Sequence, residues 1–346
     1  MVEFCQLLRL VLSSLVRKLL TQGVIALSFL LVVLTCFSQP SRNQDAYSLI
    51  NQGNFARAKV LLEKSSNTDH DVEGLFSLGK LYYLSEDFEK SEELLEKATD
   101  AQPGNSEYFL WFGRALGRRA EKASPFRAPF LAKRARDAFR TSVALDSNNL
   151  EARDDLLTYY LEAPGFLGGG KDKAIQLAEQ IKDLHPCHYL IQSAQICESQ
   201  KHYEQAEDLL QKATSLKPMC LSGLLALAEF YQDRRQWSDA RATLQKAVQC
   251  FPDSQVAHFE LGRFEVKEGV DLRRGCLELN TFLKLHSVGE PYPFMAYYLL
   301  GEAHLKLDQP AIAIDQFEQA LRAYPAHAPS LKGLAEAKQR MNHLTR

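Results

Sequence analysis

The chain has 346 residues, with 41 Lys and Arg against 43 Asp and Glu, and is 46% hydrophobic. This composition supports a large buried core and excludes a disordered polymer, and a net charge of −2 removes bulk attraction for nucleic acid. Seven cysteines, 18 glycines and 13 prolines likewise exclude a disulfide-dense miniprotein and a collagenous chain.

Residues 23–37 read GVIALSFLLVVLTCF and carry no charge, and Arg9, Arg17 and Lys18 precede them against Glu3 alone. A basic flank, an apolar run and then polar SQPSRNQ is the pattern of a secretory signal, with a cut after Ser38. Counted from Leu19 to Phe37 the run is 19 mostly apolar residues, enough for one membrane span, so a retained anchor fits as well. Leu34 and Thr35 make a poor lipidation site of Cys36. Either way the leading basic residues place the N-terminus in the cytoplasm and the rest of the chain outside it. The expectation is a signal peptide or N-terminal membrane anchor over 1–38.

Beyond Gln39 the chain is periodic. Residues 72–105 (VEGLFSLGKLYYLSEDFEKSEELLEKATDAQPGN) and 221–254 (LSGLLALAEFYQDRRQWSDARATLQKAVQCFPDS) align over 34 positions. Leu75 matches Leu224, Gly79 matches Ala228, Tyr82 matches Tyr231, Leu95 matches Leu244, and Pro103 matches Pro252. Each segment holds two amphipathic helical patterns around a polar turn, and a proline ends the second of them. The small residue opening each second helix recurs at Ala58, Ser91, Ala135, Ala174, Ala206, Ala240, Gly275 and Ala313, at intervals of 32 to 44 residues. Four residues after each comes Leu62, Leu95, Phe139, Ala178, Leu210, Leu244, Leu279 or Phe317. Eight helix pairs follow, near 39–71, 72–105, 106–149, 150–186, 187–220, 221–254, 255–293 and 294–327, with a capping helix over 328–344.

The pattern resembles the tetratricopeptide repeat, W-x2-L-G-x2-Y, then A-x3-F, then P. The resemblance implies an all-α fold, a right-handed α-α superhelix over 39–346 whose first helices line a concave groove. It also implies a noncatalytic scaffold or adaptor that binds a protein or peptide there, with no cofactor and no small-molecule substrate. The segment A-P-G-x-x-G-G at 163–169 is similar to one in bacterial proteins of this kind. With the leader, that implies a cell-envelope role, periplasmic or anchored in the inner membrane.

By the same resemblance the fifth and ninth positions of each unit point into the groove. These are Phe76 and Lys80, Leu110 and Arg114, Asp154, Ile191 and Gln195, Leu225 and Glu229, Phe259 and Arg263, and Tyr298 and Glu302. Phe76 and Lys80 replace the family's Lys and Asn carboxylate clamp. The groove reads as basic around Lys80, Arg114 and Arg118, then acidic around Asp154, Asp155, Glu198, Glu229 and Asp233, which fits an extended or helical polypeptide held by complementary charge.

The third unit carries about ten extra residues. From Arg114 to Arg140, nine bases, among them Arg119, Lys122, Arg127, Lys133, Arg134 and Arg136, face only Glu121 and Asp137. With Phe126, Phe130 and Leu131 interleaved, this insertion supports an alternative function, binding of anionic lipid or another polyanion. Gly165, Gly170 and Lys171 imitate a phosphate-binding loop, but Asp172 stands where Ser or Thr is needed and a helical pattern precedes it, so a glycine-rich bend is expected. His185, Cys187 and His188 match no zinc spacing, so no metal is expected. Cys187 and Cys220 hold nearly equivalent places, but helix axes about 8–10 Å apart argue against a disulfide. No Gly-x-Ser-x-Gly, HExxH or paired-Cys motif is present, so no enzyme is expected.

Overall fold

Short polar side chains open many of the helices that the periodicity predicts. In the computed structural model, which describes residues 46, 48–50, 54–65, 71–286 and 292–344, Asp71, Asp87, Asn105, Asn149, Ser254 and Asp271 each accept from a backbone N–H of the turn they cap. Pro186, Pro293 and Pro310 start three others, where a missing N–H costs nothing. The signal or anchor expected over 1–38 lies outside the described residues. No helix among the described residues is long and apolar enough to cross a membrane.

The helices are α1 (Phe55–Ser65), α2 (Val72–Leu84), α3 (Phe88–Ala101), α4 (Ser106–Lys122), α5 (Ala128–Leu145), α6 (Leu150–Glu162), α7 (Lys171–Glu179) and α8 (Pro186–Ser199). They continue as α9 (Tyr203–Thr214), α10 (Leu221–Asp233), α11 (Trp237–Cys250), α12 (Gln255–Lys267), α13 (Leu272–Leu285), α14 (Pro293–Lys306), α15 (Pro310–Ala323) and α16 (Ala328–Leu344). Among the described residues there is no strand. The fold is all-helical, an α-α superhelix of helix pairs: α2 with α3, α4 with α5, and so on to α14 with α15. Helix α1 is the second helix of the first unit, and α16 packs on α15 at the end.

Within a pair, a small residue of the first helix faces a large one of the second. A Cβ added to Gly79 would stand 2.7 Å from Leu95, one on Gly262 2.7 Å from Leu279, and ones on Gly113 and Gly301 2.5 Å from the rings of Phe139 and Phe317. Ala46, Ala194 and Ala228 hold the equivalent place where the partner is Leu62, Leu210 or Leu244, all of them buried. The fourth unit inverts the sizes: Leu157 stands at the small position and Ala178 opposite, both buried in one cluster. The eight small markers that open the second helices are all buried as well. Between the helices the chain reverses through a left-handed residue, at Glu86, Lys201, Arg235 and Asp308 in four units and at Gly269 in a fifth. There the next N–H returns to a carbonyl of the preceding helix, as from Asp87 to Tyr82 and Gln236 to Tyr231.

The described array does not stay open: its two ends meet. Phe55, which opens α1, lies 5.0 Å from the ring of Tyr292, 5.5 Å from Phe294 and 5.5 Å from Tyr324, edge-on in each case. Ile50, Ala58, Leu62, Leu78 and Leu81 share that cluster with Ala320 of α15. Each such ring pair contributes roughly 0.5–1.5 kcal/mol beyond its buried area.

Two outcomes are expected. Gly79→Leu should lower the unfolding free energy by about 1–3 kcal/mol through overpacking, and Leu95→Ala by about 2–5 kcal/mol through a cavity. The double variant, which copies the fourth unit, should lose less than the sum by at least about 0.5 kcal/mol in urea titrations, and strict additivity would contradict the complementary pairing. Separately, Phe55→Ala should speed amide hydrogen exchange in α1 and around Tyr324 while α8 to α11 keep wild-type rates. Unchanged exchange at both ends would show that the ring cluster does not hold them.

Candidate functional site

First helices of successive units line an inner face that carries three hollows. The first, about 890 Å³, is bounded by α2, α4 and the start of α6, with Tyr292 from the far end of the chain as its opposite wall. Trp111 is one of its lining residues: Lys80 Nζ lies 4.3 Å and the Arg114 guanidinium 4.9 Å from that ring, and Tyr83 meets it edge-on at 5.4 Å. Arg114 is held at 2.6 Å by Asp155 and 3.0 Å by Glu151. Burial works against the Arg114 charge, but Asp155 and Glu151 outweigh it and raise its pKa. Burial also raises Asp155, against the pull of Arg114. Glu107, Asp146 and Glu151 share the lining with Lys80 and Arg114, so the basic end read from the sequence is neutralised from within.

The second hollow, about 240 Å³, lies between α8 and α10 over the side chain of Leu210. Glu198, Glu229 and Asp233 rim it. Loss of solvent raises Glu198, offset in part by Arg234 at 3.5 Å, and raises Glu229, reinforced by Asp233 and Glu260. Arg234 in turn lies over the rings of Tyr203 and Phe230, at 3.8 and 4.1 Å. The rim of this hollow is therefore acidic. The third, about 480 Å³, is walled by α12 and α14 on one side and by Leu84, Ser85 and Glu86 on the other. Phe259, Phe294, Tyr298 and His327 give it aromatic walls. Burial lowers the His327 pKa, so that ring stays neutral to lower pH than usual. Its cations are tied: Arg263 to Glu260 at 2.6 Å and Lys267 to Glu302 at 2.6 Å, where Tyr298 also donates to Glu302 at 2.6 Å.

Lys80, Leu110 and Arg114 therefore come together in the first hollow, Ile191, Gln195 and Glu229 in the second, and Phe259, Arg263 and Tyr298 in the third. Several fifth positions correct the expectation. Phe76 is buried and stacks on Tyr108 at 4.5 Å, Leu225 is half-buried against core clusters shared with neighbouring units, and Leu110, Ile191 and Phe259 are buried floors. The reason is overlap: the first helix of the next unit covers the fifth position, as Tyr108 covers Phe76, and leaves the ninth more open, with Gln195 and Glu229 exposed and Lys80, Arg114, Arg263 and Glu302 half-buried. Asp154 is a tie between units, accepting from His188 at 2.8 Å and Gln192 at 2.9 Å. Arg118 turns away to Glu121 at 2.6 Å and to the Phe88 ring. Trp111 and Tyr292 were not singled out from the sequence. Trp111 adjoins a fifth position and was legible, whereas Tyr292 reaches the hollow only because the ends meet.

The insertion also differs from its sequence reading. Arg119 binds Glu89 and Glu92, Arg134 binds Glu92 and Glu96, Lys122 lies 3.8 Å from Glu86, and Arg136 and Arg140 reach Asp137. Carboxylates of α3 thus hold Arg119 and Arg134, Glu86 lies near Lys122, and Asp137 serves Arg136 and Arg140 from within the insertion. Leu131 is buried. Arg127 and Lys133 keep exposed side chains without an ion pair. The glycine-rich segment is the bend that was expected. Gly168 and Gly170 have φ of +93° and +146°, and the Gly168, Gly169 and Gly170 N–H groups bond to Gly165, Pro164 and Tyr160 carbonyls, which leaves no phosphate cradle.

Cys187 and Cys220 are joined by a disulfide, against the sequence expectation. Spacing between helix axes was the wrong measure. Cys187 is the second residue of α8 and Cys220 the cap of α10, and their facing side chains bring the Cα atoms to 6.5 Å, inside the range a disulfide spans. Cys187 is thereby withdrawn from any metal, His188 faces Asp154, and His185 faces Asn148.

The comparisons place this geometry. Tetratricopeptide-repeat family models match residues 72–105, 198–260 and 295–338, so the chain carries tetratricopeptide repeats. Among solved structures it is similar to YrrB, titled a TPR protein with an unusual peptide-binding site, at 16% identity over 70% of this chain and 97% of that one, with a TM-score of 0.35. It is also similar to Pseudomonas aeruginosa pilF, at 16% identity over 78% of this chain and 98% of that one, again with a TM-score of 0.35. No curated protein matches.

Closing a loop across 33 positions, the disulfide should contribute about 3–4 kcal/mol. Alkylation of the unreduced, denatured chain should label Cys197, Cys250 and Cys276 but neither Cys187 nor Cys220, and reduction should lower the thermal midpoint. Labelling at Cys187 in the unreduced protein would contradict the bond.

Proposed function

We propose that the chain is a noncatalytic scaffold that holds a polypeptide along its inner face, with a basic segment of that partner over units five and six. One observation carries this reading: the three hollows follow one another on the first helices, each pairing an apolar or aromatic floor with a charged rim. Such a surface suits an extended or helical polypeptide, gripped by apolar anchors and oriented by charge. The acidic rim at Glu198, Glu229 and Asp233 supplies the orientation, because the charges of the other two hollows are satisfied internally.

The site of action in this proposal is outside the cytoplasm, in the cell envelope, either periplasmic or tethered by the N-terminal segment. The Lys and Arg excess before the apolar run supports it. So does the Cys187–Cys220 bond, since disulfides persist mainly in oxidising compartments.

The test places a photocrosslinking amino acid at Gln195 or Glu229 on the inner face, and at Gln211 or Lys246 on exposed second-helix positions, in cells making the full chain. The inner positions should capture one and the same polypeptide, and the outer ones should not. Glu229→Lys should then slow association with that partner by roughly three- to tenfold at low salt. Because both Glu198 and Glu229 are raised, they take up protons before ordinary carboxylates do as pH falls, so affinity for a basic segment should decline early in an acid titration. Equal capture from both faces would overturn the groove reading.

A further inference from the structure

The part of the insertion that stays unneutralised has a defined place. Counted from the shared small residues Gly79 and Gly113, α4 runs four residues further than α2 at its C-terminal end, and counted from Ser91 and Ala135, α5 starts four residues earlier than α3. The turn between them therefore projects about one helical turn, roughly 5 Å, beyond the matching turn of the preceding unit. It is ordered by bonds from the Arg127 and Ala128 N–H groups to the Ser124 carbonyl, each 2.9 Å. On this tip Phe126 is 95% exposed and Phe130 65% exposed, flanked by Arg127 and Lys133. The matching turn of the next unit carries Phe166, 76% exposed, and Arg136 of α5 holds that turn by a 2.8 Å bond to the Leu167 carbonyl. Two neighbouring turns on one edge thus present large aromatic side chains to solvent, with unpaired cations beside them. Isolated exposed apolar residues need no explanation, but a projecting aromatic pair with flanking cations does.

We infer that this edge docks on an anionic bilayer surface, with Phe126, Phe130 and Phe166 entering the headgroup region and Arg127 and Lys133 against the phosphates. Aromatic rings favour that interface, and each basic residue near an anionic surface adds about fivefold in affinity. The occupant is a membrane and not a second protein because of the chain outside the described residues. Its 19-residue apolar run from Leu19 to Phe37 is long enough to tether the repeats at a bilayer, within reach of a weak surface contact. The inference shares the envelope location proposed above but does not depend on the groove.

The test uses the full chain with vesicles of phosphatidylcholine containing 30% phosphatidylglycerol, or of phosphatidylcholine alone, with brominated acyl chains as quencher. Added tryptophans are compared at the tip (Phe126→Trp) and on the opposite edge (Leu184→Trp, where Leu184 is 70% exposed), each against wild type. F126W should gain a blue shift and at least about twice the quenching of L184W on anionic vesicles, and little on neutral ones. Arg127→Gln with Lys133→Gln should cut that difference at least fivefold, in line with the contribution of surface charges. Equal quenching at the two positions, no quenching at either, or the same quenching on neutral vesicles would overturn the proposal. N-terminal sequencing of the sample checks that the run from Leu19 to Phe37 is retained, and the comparison is made on that tethered chain.

Discussion

The contact between a small residue on the first helix of each unit and a large one on the second is the constraint on which the rest depends. It sets how closely paired helices approach, and so how far each unit turns relative to the next. Sizes are matched locally: glycine where the partner is Phe139 or Phe317, glycine or alanine where it is leucine, and the reverse order at Leu157 and Ala178. Phe317 is confined on two sides, since a Cβ on Gly333 of α16 would stand 2.4 Å from its ring. The capping helix therefore repeats, at the end of the array, the packing used inside each unit.

Because that contact repeats, the first helices fall on one face, and the meeting of the ends gives the face a boundary. Tyr292 belongs to the last pair but walls the hollow of units two and three, and Leu84, Ser85 and Glu86 of the second unit wall the hollow of units seven and eight. The first and third hollows are thus each lined by residues from both ends of the array. The aromatic cluster around Phe294 and Tyr324 both joins the ends and lines the third hollow, so loosening the closure would alter that hollow.

Much of the fold was legible in the sequence, since the small markers are a local signal repeated eight times and closing prolines recur in five units. The candidate site was legible only in part. Ninth positions such as Lys80, Gln195 and Glu229 line hollows, because their direction depends on helix phase alone. Among fifth positions, Phe76 and Leu225 line no hollow, because exposure there depends on how far the next unit overlaps, as Tyr108 does over Phe76. The charge of the insertion was misread for a related reason. Counting along 114–140 sees Glu121 and Asp137, but Glu89, Glu92 and Glu96 lie across a helix packing that no linear window contains. Tyr292 and the Cys187–Cys220 bond also arise from pairings between units.

A stack of similar units faces a further difficulty, that neighbours packed through leucine and alanine alone could slip in register. The junctions answer it with polar ties, each different. Asn149 donates to Ser106 between units three and four, Asp154 accepts from His188 and Gln192 between four and five, and Tyr231 donates to Glu207 between five and six. Arg241 meets the fully buried Glu265 at 2.6 Å between six and seven, and Lys306 donates to the Val266 carbonyl between seven and eight. Burial raises the Glu265 carboxyl in spite of Arg241, which shows that the pair is costly to keep out of water. Such a pair adds little net stability over a well-packed apolar substitute, but a slipped neighbour would leave Glu265 buried without its cation, at a penalty of about 3–5 kcal/mol. The ties act against wrong arrangements more than for the right one, and they keep the three hollows aligned on a single face.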